Sequence, residues 1–163
     1  MWNVATGQRE WVARDAPASA RRVAWSPDGA RLACAGDDGR VYLRRAGDGT
    51  LLAPLAGHPG RVNDVAWSRD GRWLASGGGD QHQPDGGQLF IWDSESSRPV
   101  SVVADHPGIV YAVAWSLDGT ILITAFFPKG ALSPFASLHG TVTAQACTDQ
   151  FCLPPADLPL PQG

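Results

Sequence analysis

A chain of 163 residues fits one ordinary domain, and its charge is close to balanced, with 13 Lys+Arg against 16 Asp+Glu. That balance lacks the basic excess of a nucleic-acid binder, and 44% hydrophobic residues with 7 Trp exclude disorder throughout. The longest near-apolar run, 121–127, is far shorter than the ~20 residues of a membrane-spanning helix, so no membrane role is expected. Met1-Trp2-Asn3 leads into polar sequence without a signal-peptide pattern. Lys129 is the one lysine, and this Arg-over-Lys usage reads as the habit of a GC-rich bacterial genome.

In chain order the first clear element is the run Val23-Ala24-Trp25-Ser26-Pro27-Asp28-Gly29. It returns as Val65-Ala66-Trp67-Ser68-Arg69-Asp70-Gly71 and again as Val113-Ala114-Trp115-Ser116-Leu117-Asp118-Gly119. The first spacing is 42 residues and the second 48, the excess falling on the polar insertion Gln81, His82, Gln83, Pro84, Asp85 and Gly86. Leu32-Ala33-Cys34, Leu74-Ala75-Ser76 and Leu122-Ile123-Thr124 align, as do Tyr42-Leu43-Arg44-Arg45 and Phe90-Ile91-Trp92-Asp93. Met1-Trp2-Asn3 stands 42 residues before Leu43-Arg44-Arg45 and reads as the tail of an earlier copy.

Each period holds short apolar runs around Asp-Gly steps, the signature of hairpins. Strands are expected near 23–26, 31–35, 40–44, 62–68, 72–76, 88–92, 99–103, 110–116 and 121–125, with essentially no helix before Ala125. The third run of a period is apolar on both faces: Leu89 and Ile91 on one, Phe90 and Trp92 on the other. Sheets covered on both sides follow. Pro54 falls in the fourth run, which suits an edge strand.

The 42-residue period, Gly57-His58, the Ser-x-Asp-Gly turns and Trp92-Asp93 resemble the WD-repeat β-propeller family. The resemblance implies an all-β fold of four-stranded blades over residues 1–125, about two full and two partial, followed by an irregular Pro-rich segment, 126–163. It also implies a structural tetrad of His58, Ser76, Asp80 and Trp92, in which the indole N–H is linked through the hydroxyl and imidazole to a carboxylate. The first repeat keeps only Asp38, with Ala16, Cys34 and Arg44 in the other places; the third keeps His106 and Thr124. Propellers close with typically four to eight blades. The chain therefore reads as a fragment or truncated product, in preference to several chains sharing one ring, and its open blade faces are expected to promote self-association.

Residues 126–163 carry 6 of the 13 prolines and two of the three cysteines. The alternating stretch 140–147 runs into Cys147 and Cys152, and is similar to the cysteine-bearing end of the N-terminal domain of thiol:disulfide interchange proteins. This second resemblance implies a redox role for the pair Cys147 and Cys152 and, with it, an extracytoplasmic setting; without a disulfide the cytoplasm is favoured. Against it, no Lys, Arg or His lies within 140–163 to stabilise a thiolate, and Asp149 between the cysteines opposes one.

Enzymatic motifs are lacking. Lys129 precedes Gly130 instead of following a phosphate-binding loop, and no Gly-x-Ser-x-Gly elbow is present. Gly77-Gly78-Gly79 reads as a tight strand end. Cys34, His58 and His106 lie about a blade apart and form no zinc set. Asp28, Asp70 and Asp118 recur once per turn, which marks turn chemistry instead of acid–base work. The expectation is a non-enzymatic scaffold without cofactor or metal, binding another protein or another domain of its parent. The insertion Gln81 to Gly86, which no repeat geometry demands, is its partner-binding loop.

Overall fold

The computed structural model describes residues 1–15, 19–80, 83–106, 108–117, 119, 121–126, 141–147 and 156–159, and only the backbone of 80, 83–85, 104–106, 122–126, 141–147 and 156–159. Among these residues there are twelve strands and no helix. The first sheet is β1 (Ala20–Trp25), β2 (Arg31–Gly36), β3 (Arg40–Arg45) and β4 (Leu51–Ala56), in that spatial order and all antiparallel. The second repeats the plan with β5 (Val62–Trp67), β6 (Trp73–Asp80), β7 (Gln83–Asp93) and β8 (Arg98–His106). Pro54 sits in β4, the outer edge, where its missing N–H costs no ladder bond.

The turns show why the repeated motif folds as it does. At the β5–β6 turn the Ser68 hydroxyl donates to Asp70 Oδ1 at 2.6 Å and accepts the Trp73 amide at 2.9 Å. Asp70 in turn accepts the Arg72 amide at 3.0 Å, and Gly71 takes a left-handed φ of 71° that a side chain would oppose. Ser26, Asp28, Ala30 and Gly29 repeat the arrangement in the first sheet. Those bonds hold the Asp28 and Asp70 carboxyls below the usual carboxylate range, the Ser hydroxyl contributing most in each.

The sheets stack face to face. Ala33, Ala35, Val41, Leu43 and Leu55 of the first bury against Val62, Val65, Leu74, Phe90 and Trp92 of the second. Ala75, Leu89, Ile91 and Val103 leave its opposite face to pack on Val110, Val113 and Ile121 of the third. The two-faced third strand of the repeat is therefore buried between two sheets.

The third sheet departs from the plan. β9 (Val110–Trp115) and β10 (Ile121–Phe126) form the expected hairpin, but the next strand is β11 (Thr141–Cys147), which joins β10 in parallel. β12 (Ala156–Pro159) then pairs antiparallel to β11. The segment after Phe126, expected to be irregular, thus contains two strands. The edge of β10 is a row of backbone donors and acceptors that needs a partner, and the alternating stretch 141–147 supplies one.

Residues before β1 also follow the repeat. Asn3 Oδ1 accepts the Ala5 and Thr6 amides at 3.0 and 3.2 Å. Asp93 Oδ1 does the same for Glu95 and Ser96, at 3.1 and 2.8 Å. Met1 to Trp11 accordingly form the closing turn of a strand pair, with a bridge between Trp2 and Arg9.

Candidate functional site

Trp92 lies on β7 facing the first sheet, and Ser76 lies on the adjacent β6, where it pairs in register with Phe90. The Trp92 indole donates to Ser76 Oγ at 2.8 Å, and His58 Nε2 lies 2.7 Å from the same oxygen. Having accepted the indole proton, the hydroxyl directs its own proton to Nε2, which leaves the imidazole proton on Nδ1. His58 Nδ1 is buried and has no hydrogen-bond partner among the described residues. Phe90 completes the cluster, its ring 4.4 Å from His58 and stacked 5.0 Å from Trp92.

Electrostatics make this cluster a structural network. Burial pushes the His58 pKa down to about 4, so the imidazole is neutral at physiological pH. Ser76 is 0% exposed and cannot meet a substrate as a nucleophile. Gly57 lies so close to Phe90 and Trp92 that a Cβ there would fall 2.8 Å from the Phe90 ring.

The structure thus brings His58, Ser76 and Trp92 into one chain of hydrogen bonds. Asp80 ends β6, with its backbone paired to Gln83; its side chain lies outside the described ones. In the insertion, Gln81 and His82 lie outside the described residues, whereas Gln83, Pro84, Asp85 and Gly86 form the start of β7. The expected loop is therefore corrected to an extended hairpin arm. Its local cause is the irregularity between Gly78 and Asp80, where Gly79 has φ 148° and its amide turns to the Arg61 carbonyl at 3.1 Å. Gly77 and Gly78 are interior to β6, not its end, and they admit close neighbours: a Cβ on Gly77 would meet Val110, and one on Gly78 the Arg61 carbonyl.

Cys147 is described only as backbone, opposite Phe126, and Cys152 lies outside the described residues. Cys34 is a free thiol whose pKa burial pushes up, against a smaller opposing pull from Arg44. No grouping of His, Cys, Asp and Glu fit to hold a metal occurs among the described residues.

Two features go beyond what the repeat pattern announces. In the first sheet Arg44 stands where the second has Trp92, and it is 2% exposed. Its Nη1 donates to the Gly49 carbonyl at 3.0 Å and pairs with Asp15 at 2.9 Å, while Tyr42 donates to Asp38 at 2.6 Å. The other is Asp64, buried on β5, which accepts the Val113 amide of the third sheet and pairs with Arg22 of the first at 3.1 Å. A carboxylate inside the strand Val62–Trp67 was the available signal.

The WD domain, G-beta repeat family model matches residues 15–44, 49–93 and 97–129. Among solved structures, the β-propeller domain of Cps50 (Swd1) from Myceliophteria thermophila is similar, with a TM-score of 0.52 and 24% identity. The match covers 59% of this chain and 28% of that one, and at this identity it speaks for the fold alone. No curated protein matches the chain in sequence.

Proposed function

The chain belongs to the WD-repeat family, and from that premise we propose that it is a non-enzymatic scaffold whose β6–β7 arm binds another protein or another domain of its parent. The observation that carries this reading is the arm itself. β7 spans 11 residues where its counterpart β3 spans 6, and the addition answers no need of the repeat. Its base is rigid, because Leu89, Phe90, Ile91 and Trp92 are buried between two sheets. A polar arm on such a base presents its residues to a partner at little cost in conformational entropy. The Ser76 and His58 hydroxyl and imidazole are spent on holding the sheet together, which fits a binding role and not a catalytic one.

The test is affinity capture with the whole chain against a variant in which Gln81–Gly86 is deleted. Loss of a specifically recovered partner, with an unchanged far-ultraviolet circular-dichroism spectrum, supports the arm as the binding element. Undiminished recovery removes it.

A further inference from the structure

At Asp28-Gly29, Asp48-Gly49 and Asp70-Gly71 the turns share one arrangement. Gly29, Gly49 and Gly71 donate their amides to the Ser26, Arg45 and Ser68 carbonyls at 2.9, 2.9 and 3.0 Å. The carboxyl before each glycine accepts the amide two residues on, from Ala30, Thr50 and Arg72, at 3.0, 2.9 and 3.0 Å. Hydrogen bonds hold these carboxyls below the usual range, chiefly from the Ser26 and Ser68 hydroxyls for Asp28 and Asp70 and from the Thr50 amide for Asp48.

Asp38-Gly39, in the β2–β3 turn, departs from that arrangement. Gly39 is buried, yet its amide has no hydrogen-bond partner among the described residues, a costly state for a backbone donor. Asp38 is exposed, and its Oδ1 lies 3.3 Å from the Arg40 amide, the longest such bond of the four turns. Ala16 stands where the second repeat has His58, so the repeat gives Asp38 no imidazole. The Tyr42 phenol donates to Asp38 Oδ2 at 2.6 Å instead, and this bond pushes the Tyr42 pKa up, so the phenol keeps its proton.

An uncommitted glycine amide beside a carboxyl that already receives an acidic proton is the starting geometry of cyclic imide formation. We propose that Asp38-Gly39 is a site of spontaneous isoaspartate formation in the folded chain and, through its product, a substrate for an isoaspartyl carboxyl methyltransferase. In the first step the Gly39 nitrogen forms a bond to Asp38 Cγ while the Cγ–Oδ2 bond breaks. Oδ2 leaves as water, carrying the amide proton and a proton passed through the phenol, which solvent replaces. In the second, water opens the imide at the former Asp38 peptide carbonyl, so the chain runs on through Cγ and the α-carboxylate is freed with release of a proton. The water lost is regained, and nothing is oxidised or reduced.

The product does not fit the native turn. A Cβ on Gly39 would already lie 2.6 Å from the His58 carbonyl oxygen and 3.0 Å from that of Gly60, and isoaspartate lengthens the backbone at this place. Isomerisation therefore presses on the loop that carries His58. The site lies apart from the β6–β7 arm, so it stands or falls separately from the binding role of that arm.

Ageing the whole folded chain at neutral pH, then mapping its peptides by isoaspartate-specific fragmentation, tests the proposal. Isoaspartate is expected to accumulate at Asp38 several-fold faster than at Asp28, Asp48 or Asp70, and at similar rates at all four in urea. A methyltransferase of this class, supplied with labelled S-adenosylmethionine, is expected to label the Asp38 peptide of the aged folded chain. Tyr42→Phe keeps the buried ring and is expected to slow the step at Asp38 in the folded chain but not in urea. The comparison among the four steps is made within the wild-type chain, so it holds even where that variant does not fold. Accumulation at Asp38 no faster than at the other three overturns the proposal. So does a folded Tyr42→Phe variant that isomerises at the wild-type rate, or an aged Asp38 peptide that takes no label.

Discussion

The carboxylate of Asp64, on the first strand of the second sheet, accepts the backbone amide of Val113 on the first strand of the third, at 3.0 Å. The same side chain accepts the Val65 amide at 2.9 Å and pairs with Arg22 of the first sheet, so one buried acid ties three sheets together. Asp64→Ala strands a buried amide at a sheet–sheet junction, a loss of ~1–3 kcal/mol. Asp64→Asn keeps an oxygen for Val113 and is expected to lose less. Urea denaturation midpoints of the two variants check the order; equal values would show that the amide does not depend on this carboxylate.

Ser76 is the relay between Trp92 and His58, and Ser76→Ala leaves both without their bond, for ~1–3 kcal/mol. Trp92→Ala adds a cavity and is expected to cost ~3–5 kcal/mol. We propose Asp80 as the acceptor of the remaining imidazole proton, on His58 Nδ1, as the family resemblance implies. On that assignment Asp80→Ala destabilises the chain far more than Asp85→Ala, although both residues belong to the β6–β7 hairpin. Thermal denaturation of the pair decides it, and equally small effects would remove Asp80 from the network.

These sites differ in how far the sequence revealed them. The strands were legible because Ser26, Asp28 and Gly29 do local work that recurs at Ser68, Asp70 and Gly71, so the motif and the turn are the same object. Apolar residues on both faces of the third run likewise announce the burial of Leu89 and Phe90 between two sheets. The parallel pairing of β11 with β10 was not legible, since an alternating run specifies a strand but not its neighbour. The arm reads as a loop in the sequence because polar residues and glycines signal turns, while its pairing is set by the bulge at Gly79. Arg44 and Asp15 meet across 29 positions of chain, a distance at which no local pattern joins them.

Gly78 and Gly29 separate two reasons for a glycine. A Cβ at Gly78 would lie 2.3 Å from the Arg61 carbonyl oxygen, which is fixed by its bond to the Gly79 amide. Gly29 has open space around it and only a left-handed φ of +70°. Gly78→Ala is therefore expected to cost ~1–3 kcal/mol or more through overpacking. For Gly29→Ala about 1–2 kcal/mol of backbone strain is expected. Chemical denaturation compares them, and a Gly78→Ala variant as stable as wild type would mean that β6 moves away from Arg61 at little cost.

His58 makes stability depend on pH in a window of its own. Burial lowers its pKa in the folded chain to about 4, whereas an unfolded histidine titrates near 6.5. Between those values the unfolded chain takes up the proton that the folded chain refuses. Stability is therefore full above about pH 6.5 and declines as the pH falls toward 4, by roughly 3 kcal/mol in all. The carboxyls of Asp28, Asp70 and Asp93 are held below 3.8 by hydrogen bonds, so their contributions are lost at more acid pH. His58→Gln retains a side chain able to hydrogen-bond Ser76 and does not titrate. Unfolding free energies of wild type and His58→Gln, measured from pH 7.5 to 4, are expected to converge as the pH falls. Parallel curves over that range would show that His58 is protonated in the folded chain as readily as in the unfolded one.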